Sequence, residues 1–338
     1  MLPHPASVLA LSQAHAVGWA MFREGGENGP LEKCRSIDDN NNDNNNDNDN
    51  NQLKSSLSVI KVIALHGWMD NCATFDVLAP RLRNKIVDVD FVAIDLPGHG
   101  QSSHKSLDGT TCVLAENCYY VYDIVVQLGW RHQDVTIVGH SMGASIALMF
   151  AAAFPVKRLI ILDSLGPQSK KKESISRCIR EHIKARTNGK MTSSVYPNLE
   201  QAVKARCKSP KMFPGKQYIS ESTARALVQR GSVIEDNGQL RFLHDQRLYW
   251  PSILFLSEEQ IEVLYKDVAA NQSTSTCLLL AKDGMPFPSE MINRARKLLL
   301  IKSNDTYQQL PGSHHFHSDP DSVDKVVNAI AMWLYRQN

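Results

Sequence analysis

The chain has 338 residues, of which 43% are hydrophobic and 21% are charged, as in an ordinary soluble globular protein. Its formal net charge of +2 gives no overall electrostatic preference for nucleic acid or for an anionic membrane. The sequence contains no apolar run of the ~18–20 residues that span a bilayer, so no membrane-spanning segment is expected.

The seven cysteines are dispersed and form no Cys-x-x-Cys pair. Such a set is typical of reduced thiols in an intracellular protein rather than of a disulfide framework. The first residues, MLPHPASVLALSQAHAVGW, lack the basic stretch of a secretory signal peptide. We therefore expect an intracellular location, with the cytoplasm favoured and association with an organelle left open.

Residues 38–51, DDNNNDNNNDNDNN, differ from the rest of the chain because they contain only Asn and Asp. They offer no apolar side chain whose burial could offset the entropy lost on ordering, so we predict a disordered insert in a loop between two early strands. Calcium binding is the alternative that these oxygen-bearing side chains suggest. The segment lacks the turn glycine and the closing glutamate of a calcium-binding loop, which disfavours that alternative.

After this insert, predicted strands and helices alternate. Short apolar runs rich in β-branched residues predict buried strands, and apolar residues at helical spacing predict helices. The predicted strands are 59–65, 90–96, 134–139 and 158–163. The predicted helices between them are 74–84, 113–130 and 142–154. This alternation predicts a parallel sheet that is covered on both faces.

Residues 166–273 break the alternation and are predicted to be mostly helical. In 174–186, SISRCIREHIKAR, one stripe of an amphipathic helix is formed by Ile175, Cys178, Ile179, His182 and Ile183. A second helix is predicted between Ser220, a plausible cap, and Gly231. Strand character returns at 276–282, and 322–337 predicts a terminal helix. The predicted domains are thus a core formed by 1–165 and 274–338, and a helical cap formed by 166–273.

A basic run, KKK at 170–172, opens this segment, with Arg177, Arg180, Lys184 and Arg186 nearby. The run could attract an anionic substrate. A solvated helix face is the commoner meaning of such a run and the one we favour.

Ser141 lies in TIVGHSMGASIALMF, residues 136–150, where strand-forming residues give way to helix-forming ones. The pattern G-x-S-x-G in this context is typical of a nucleophile elbow, in which Gly139 and Gly143 permit close approach of strand and helix. The turn lifts the hydroxyl above the sheet edge, and the backbone N–H of Met142 then faces a developing oxyanion. The alternative is a glycine-flanked turn with a solvent-facing serine.

A reactive serine needs a second oxyanion donor and a base. The stretch LHGW, 65–68, follows a predicted strand, and the backbone N–H of Trp68 could pair with that of Met142. Near the C-terminus, LPGSHHFHSDP supplies three histidines, of which His314 follows a predicted strand and is best placed as the base. A metal site at His314-x-x-His317 is disfavoured because no Cys or Glu ligands accompany it, so neither metal nor cofactor is expected.

With these residues in place, the chain resembles the α/β-hydrolase superfamily and, more narrowly, the serine hydrolase-like proteins. The resemblance rests on LHGWMDNCATFDVLAPRL, FVAIDLPGHGQSSH, TIVGHSMGASIA, LIILDSLGP, FLHDQRLYWPS and LPGSHHFHSDP. It implies an α/β-hydrolase fold with a helical cap, with Ser141 as nucleophile and His314 as base. The implied activity is carboxylesterase-like hydrolysis of an ester or related acyl bond in a small molecule, through an acyl-enzyme.

A catalytically silent, ligand-binding member of the same fold remains the alternative, because a fold does not fix a function. An intact serine, histidine and oxyanion loop argue against it. A dehalogenase or epoxide hydrolase would need a carboxylate where Ser141 stands. The acyl chain length and the oligomeric state are left open.

The acid that would orient His314 has two candidates, which the sequence leaves open. Asp283, in LLLAKDGMPFP, follows the strand after the cap, the commonest location in the superfamily, but comes about one residue early, with Gly284 at the expected place. Asp163, in RLIILDSLGP, closes the strand before the cap, as in some superfamily members. It could equally be a structural residue that bonds the turn into the cap.

Overall fold

The structure is a computed structural model that describes residues 8–11, 15–22, 59–86, 88–106, 114–188, 193–215 and 217–336. The Asn/Asp-rich segment 38–51 lies outside these residues, so the prediction of a disordered insert stays a prediction.

The described residues form strands and α-helices that are numbered here in chain order. The strands are β1 (Val8–Leu11), β2 (His15–Phe22), β3 (Ile60–Leu65), β4 (Val89–Ile94), β5 (Val135–His140), β6 (Arg158–Leu162), β7 (Val195–Tyr196), β8 (Ser232–Ile234), β9 (Leu240–Phe242), β10 (Ser275–Asp283) and β11 (Tyr307–Ser313). The helices are α1 (Leu78–Arg83), α2 (Asn117–Gln127), α3 (Met142–Ala153), α4 (Ile175–Asn188), α5 (Leu199–Lys208), α6 (Glu221–Arg230), α7 (Glu258–Ala270), α8 (Ser289–Leu298) and α9 (Val323–Arg336).

A sheet of eight strands runs through the centre, in the order β1-β2-β4-β3-β5-β6-β10-β11. The six strands from β4 to β11 are mutually parallel, whereas β1 and β2 join antiparallel at one edge. Helices α1 and α9 pack on one face, and α2, α3, α7 and α8 pack on the other. The predicted α/β fold, with a mostly parallel sheet covered on both faces, is confirmed.

Burial on both faces explains why the strands appear in the sequence as continuous apolar runs. In β3, Ile63 and Leu65 face the α3 side, while Val62 and Ala64 face the α1 and α9 side. Successive residues of a strand point to opposite faces, so a strand between two helical layers needs apolar residues at every position. The carboxyl ends of β3, β5 and β6 meet at one edge, where the candidate site lies.

The segment between β6 and β10 contains α4 to α7 and a second, three-stranded sheet in the order β7-β9-β8. The sequence analysis missed this sheet because its strands have only two or three residues. Helices α5 and α6 share a buried cluster of their own. Helix α7, by contrast, packs against α3, and its Tyr265 belongs to the main core. The division at 166–273 into a separate cap stays a prediction.

Helix α6 begins and ends as the sequence indicated. The Ser220 side chain accepts a hydrogen bond from the Thr223 backbone N–H, and the helix ends at Gly231. Such an N-cap satisfies one of the backbone donors that a helix start leaves unpaired.

Helix α4 buries only part of its predicted apolar stripe. Cys178 and His182 are buried, but Ile175, Ile179 and Ile183 are 52%, 37% and 55% exposed. Helical periodicity identifies an apolar face but does not say whether the protein covers it. Among the described residues, none of the helices combines the length and the apolar content that a bilayer crossing requires.

Candidate active site

Ser141 stands in a strained turn between β5 and α3. Its backbone has φ 51° and ψ −115°, a left-handed conformation that residues other than glycine rarely adopt. Close packing holds the turn, because a Cβ atom at Gly143 would overlap the backbone carbonyl of Leu65. Strain of this kind persists only where the surrounding structure enforces it, and it clusters at functional sites.

The loop after β3 lies directly beside this serine. A Cβ atom at Gly67 would stand 3.3 Å from the Cβ of Ser141. The next residue, Trp68, donates from Nε1 to the Leu248 carbonyl at 3.1 Å, and its ring meets that of Tyr249 edge-on. Residues 248 and 249 therefore hold the Trp68 side chain in place. The pairing of the Trp68 and Met142 backbone N–H groups as oxyanion donors stays a prediction.

His314 follows β11 and is oriented by Asp163, which follows β6. The His314 Nδ1 atom lies 2.5 Å from Asp163 Oδ2, in a charge-assisted hydrogen bond. The His314 carbonyl accepts a hydrogen bond from His140 Nε2 at 2.9 Å, and His140 directly precedes Ser141. This contact ties the histidine loop to the serine turn. With Nδ1 bonded to the carboxylate, Nε2 is the ring nitrogen that can accept a proton.

The two candidate acids have different surroundings. Asp163 is buried with φ 46°, and its carboxylate also accepts from the backbone N–H groups of Ala281 and Met285 at 2.9 and 3.0 Å. Asp283, at the end of β10, is exposed. The structure thus brings Asp163 to His314 and leaves Asp283 at the surface.

Three further histidines form a cluster with His314: His140 and His315 contact its ring, and His317 contacts the ring of His140. Burial lowers the pKa of His140 and of His317 well below the usual value, which keeps both neutral. His317 Nε2 lies 3.0 Å from the Thr74 hydroxyl, so His314 and His317 have separate partners. Among the described residues, no cluster of three or more His, Cys, Asp or Glu side chains is arranged to hold a metal ion.

Asp70 connects this histidine cluster with the segment between β6 and β10. Its buried carboxylate lies 2.5 Å from Arg206 Nη2 on α5 and 3.1 Å from His315 Nε2. Burial works against ionisation of Asp70, but the contacts with His315 and Arg206 hold its pKa well below the usual range.

A second buried aspartate makes a similar connection. Asp95 is fully buried at the end of β4 and lies 2.9 Å from Arg230 Nη2, at the end of α6. The backbone N–H groups of Cys72 and Gln101 also donate to its carboxylate. Sequence reasoning assigned no role to these pairs. Both aspartates lie in stretches that carry the family resemblance. The sequence around Arg206 and Arg230 contains no motif that would identify them as the partners.

Comparison with known proteins identifies the family to which this fold belongs. A model of the alpha/beta hydrolase family matches residues 62–329. The chain belongs to this family. It is 32% identical to a serine hydrolase-like protein of Danio rerio over 281 residues, which cover 79% of each chain. It is 31% identical to serine hydrolase-like protein 2 of Homo sapiens over 293 residues, which cover 81% of this chain and 87% of the human one.

Solved structures agree with this assignment. A hypothetical protein from Pseudomonas aeruginosa superposes with a TM-score of 0.76 at 27% identity, over 98% of this chain and 100% of that one. A thioesterase domain from the curacin biosynthetic pathway superposes with a TM-score of 0.66 at 18% identity, over 96% and 98% of the two chains, which supports the fold alone. Together the fold and the relatives support a hydrolase.

Proposed function

We propose that this protein is a serine hydrolase that cleaves an ester or related acyl bond of a small molecule, with Ser141 as nucleophile, His314 as base and Asp163 as the acid. The observation that carries the proposal is the hydrogen bond from His314 Nδ1 to the buried Asp163 carboxylate. It stands beside a serine whose strained turn is bonded to the same histidine loop. A histidine held in this way can remove a proton from a serine hydroxyl.

The chemistry follows from these positions. As Ser141 Oγ attacks the acyl carbon, its proton passes to His314 Nε2, and Asp163 stabilises the imidazolium that forms. The backbone N–H groups of Met142 and Trp68 hold the negative charge that develops on the carbonyl oxygen. His314 then returns the proton to the leaving alcohol. Water, deprotonated by the same ring, hydrolyses the acyl-enzyme. Every step uses groups of this chain and an ordinary water molecule.

A fluorophosphonate probe tests the nucleophile, because it phosphonylates activated serines. We expect stoichiometric labelling of the wild-type protein and none of Ser141→Ala. Ser145→Ala, one helical turn along α3, serves as the matched control and should label normally. Both variants should keep the thermal midpoint of the wild type. Hydrolysis of p-nitrophenyl acetate, followed by esters of increasing chain length, would then define the substrate.

Two outcomes contradict the proposal in different ways. Labelling and turnover that survive in Ser141→Ala would show that another residue is the nucleophile. A wild-type protein that neither labels nor hydrolyses any ester of the series would favour the ligand-binding alternative.

A further inference from the structure

Helix α4 presents three isoleucines to solvent. Ile175, Ile179 and Ile183 follow one another at intervals of four residues, so they form one stripe along the helix. They are 52%, 37% and 55% exposed, whereas the neighbouring Cys178 and His182 are buried. An uncovered apolar stripe of this length costs free energy in water and is typical of a surface that binds something.

A basic strip runs beside the isoleucines. Around the helix, the isoleucine stripe lies between the buried face and a strip formed by Arg177, Arg180 and Lys184, all of which are exposed. Residues 170–188 together contain seven basic side chains and only two acidic ones. The sequence analysis favoured a solvated helix face for this run. The exposed stripe beside it adds the apolar half of an amphipathic binding surface.

The chain segment 250–255 extends this surface. It lies alongside α4, because His182 Nδ1 donates to the Pro251 carbonyl at 2.8 Å. It also contacts the residues that precede α4, where Lys170 Nζ stands 4.1 Å from the Phe255 ring centroid. Within the segment, Ile253 and Leu254 are 37% and 64% exposed. Five exposed aliphatic side chains thus lie on α4 and its immediate neighbour.

We propose that the isoleucine stripe of α4 and the adjoining Ile253 and Leu254 dock onto the surface of an anionic lipid bilayer. The aliphatic side chains would enter the boundary between headgroups and acyl chains, and the basic strip would bind anionic headgroups. Charge decides between a lipid surface and a second copy of this chain, because two copies joined through α4 would bring two strongly basic helices together. The proposal concerns attachment, not crossing, and it does not depend on the hydrolase activity.

Sedimentation with lipid vesicles tests the proposal on the full chain. One set of vesicles contains phosphatidylcholine with about 30 mol% phosphatidylserine, and the other contains phosphatidylcholine alone. We expect the wild type to bind the first set, to bind the second at least about tenfold more weakly, and to be released from the first by salt.

Two variants separate the apolar and electrostatic parts of the surface. Ile175→Ser/Ile179→Ser/Ile183→Ser should lower binding to anionic vesicles about tenfold or more. Arg180→Glu/Lys184→Glu should do the same by reversing charge. The controls change equally exposed residues elsewhere and should bind as the wild type does. They are Ile234→Ser/Val263→Ser for the apolar part and Lys266→Glu/Lys297→Glu for the charge.

Three results would overturn the proposal. The first is a wild type that does not sediment with anionic vesicles while its melting curve shows a folded protein. The second is binding that the α4 variants leave unchanged. The third is association in solution, either with itself in ultracentrifugation or with polyglutamate, that the α4 variants abolish while vesicle binding is absent. That last result would assign the surface to a protein partner.

Discussion

The carboxylate of Asp163 occupies the place where a side chain at Gly284 would begin. A Cβ atom at Gly284 would overlap both carboxylate oxygens of Asp163. Asp163 reaches this place from the end of β6, because β6 and β10 are neighbours in the sheet and Leu162 pairs with Leu279. Only one side chain can fill this space beside His314.

We therefore expect the two candidate acids to respond differently to neutralisation. Asp163→Asn should lower kcat for a short-chain ester by up to about 10⁴-fold, because the amide no longer stabilises the imidazolium or fixes its tautomer. Asp283→Asn changes an exposed side chain and should leave kcat within about twofold. Steady-state kinetics on both variants, with circular dichroism to confirm folding, decides the matter. Equal losses in the two variants would contradict the assignment of Asp163.

Gly284→Ala should also lower kcat, although position 284 carries no functional group. The added methyl group must displace the Asp163 carboxylate and so break its bond to His314. Asp283→Ala, at the preceding exposed position, is the matched control and should keep wild-type kcat. A Gly284→Ala enzyme with normal kcat would show that the Asp163 position is not needed.

A double substitution tests whether activity depends on a carboxylate at this position beside His314, whichever strand carries it. Asp163→Gly alone should be nearly inactive. Gly284→Asp, added to Asp163→Gly, points a carboxyl group into the vacated space, and we expect it to recover part of kcat. No recovery in a folded double variant would mean that the backbone bonds of Asp163 to Ala281 and Met285 are also required.

Sequence reasoning reached the sheet and the serine turn because their signals are local. The β-branched residues of β3 favour a strand by themselves, and the glycines around Ser141 permit the tight turn by themselves. The sequence could not decide between Asp163 and Asp283 as the acid. That choice depends on which of the two side chains reaches His314 from its own strand end, which is a contact between residues distant in the chain. The exposure of the α4 isoleucines could not be predicted either. Helical periodicity identifies an apolar stripe but does not show whether another part of the protein covers it.

Arg230 should contribute much more stability than Arg225, although both lie on α6. Arg230 pairs with the fully buried Asp95, so Arg230→Met leaves that carboxylate without its cation and should lower the free energy of unfolding by about 3 kcal/mol. Arg225 pairs with two exposed glutamates, and Arg225→Met should cost far less. Urea denaturation measures both. Equal effects would contradict a buried pair at Asp95.

The protein should lose stability as the pH falls from about 7.5 to 5.5. Burial lowers the pKa of His66, His140 and His317, and lowers that of His99 to about 3. Below about pH 6.5 these histidines become protonated in the unfolded chain but stay neutral in the folded one, so each lowers the free energy of unfolding by up to about 1.4 kcal/mol per pH unit. Burial raises the pKa of Asp76 to about 6 and also raises that of Asp319, so these two carboxyls act in the opposite direction, but they are fewer than the histidines.

Urea denaturation at several pH values checks this trend. His99→Asn should show a shallower decline than the wild type, because it removes one group that the acid must charge. A free energy of unfolding that stays constant or rises on acidification would contradict the neutral state of these histidines.

The two buried pairs, Asp70 with Arg206 and Asp95 with Arg230, limit how a substrate can reach Ser141 and how a product can leave. Both aspartates belong to loops at the sheet edge, and both arginines belong to the consecutive helices α5 and α6. Lifting these helices away from the sheet would break two buried ion pairs at once and remove the cations from the Asp70 and Asp95 carboxylates. We therefore expect α5 and α6 to act as a fixed wall. Substrate and product would then have to reach and leave Ser141 without any displacement of these two helices.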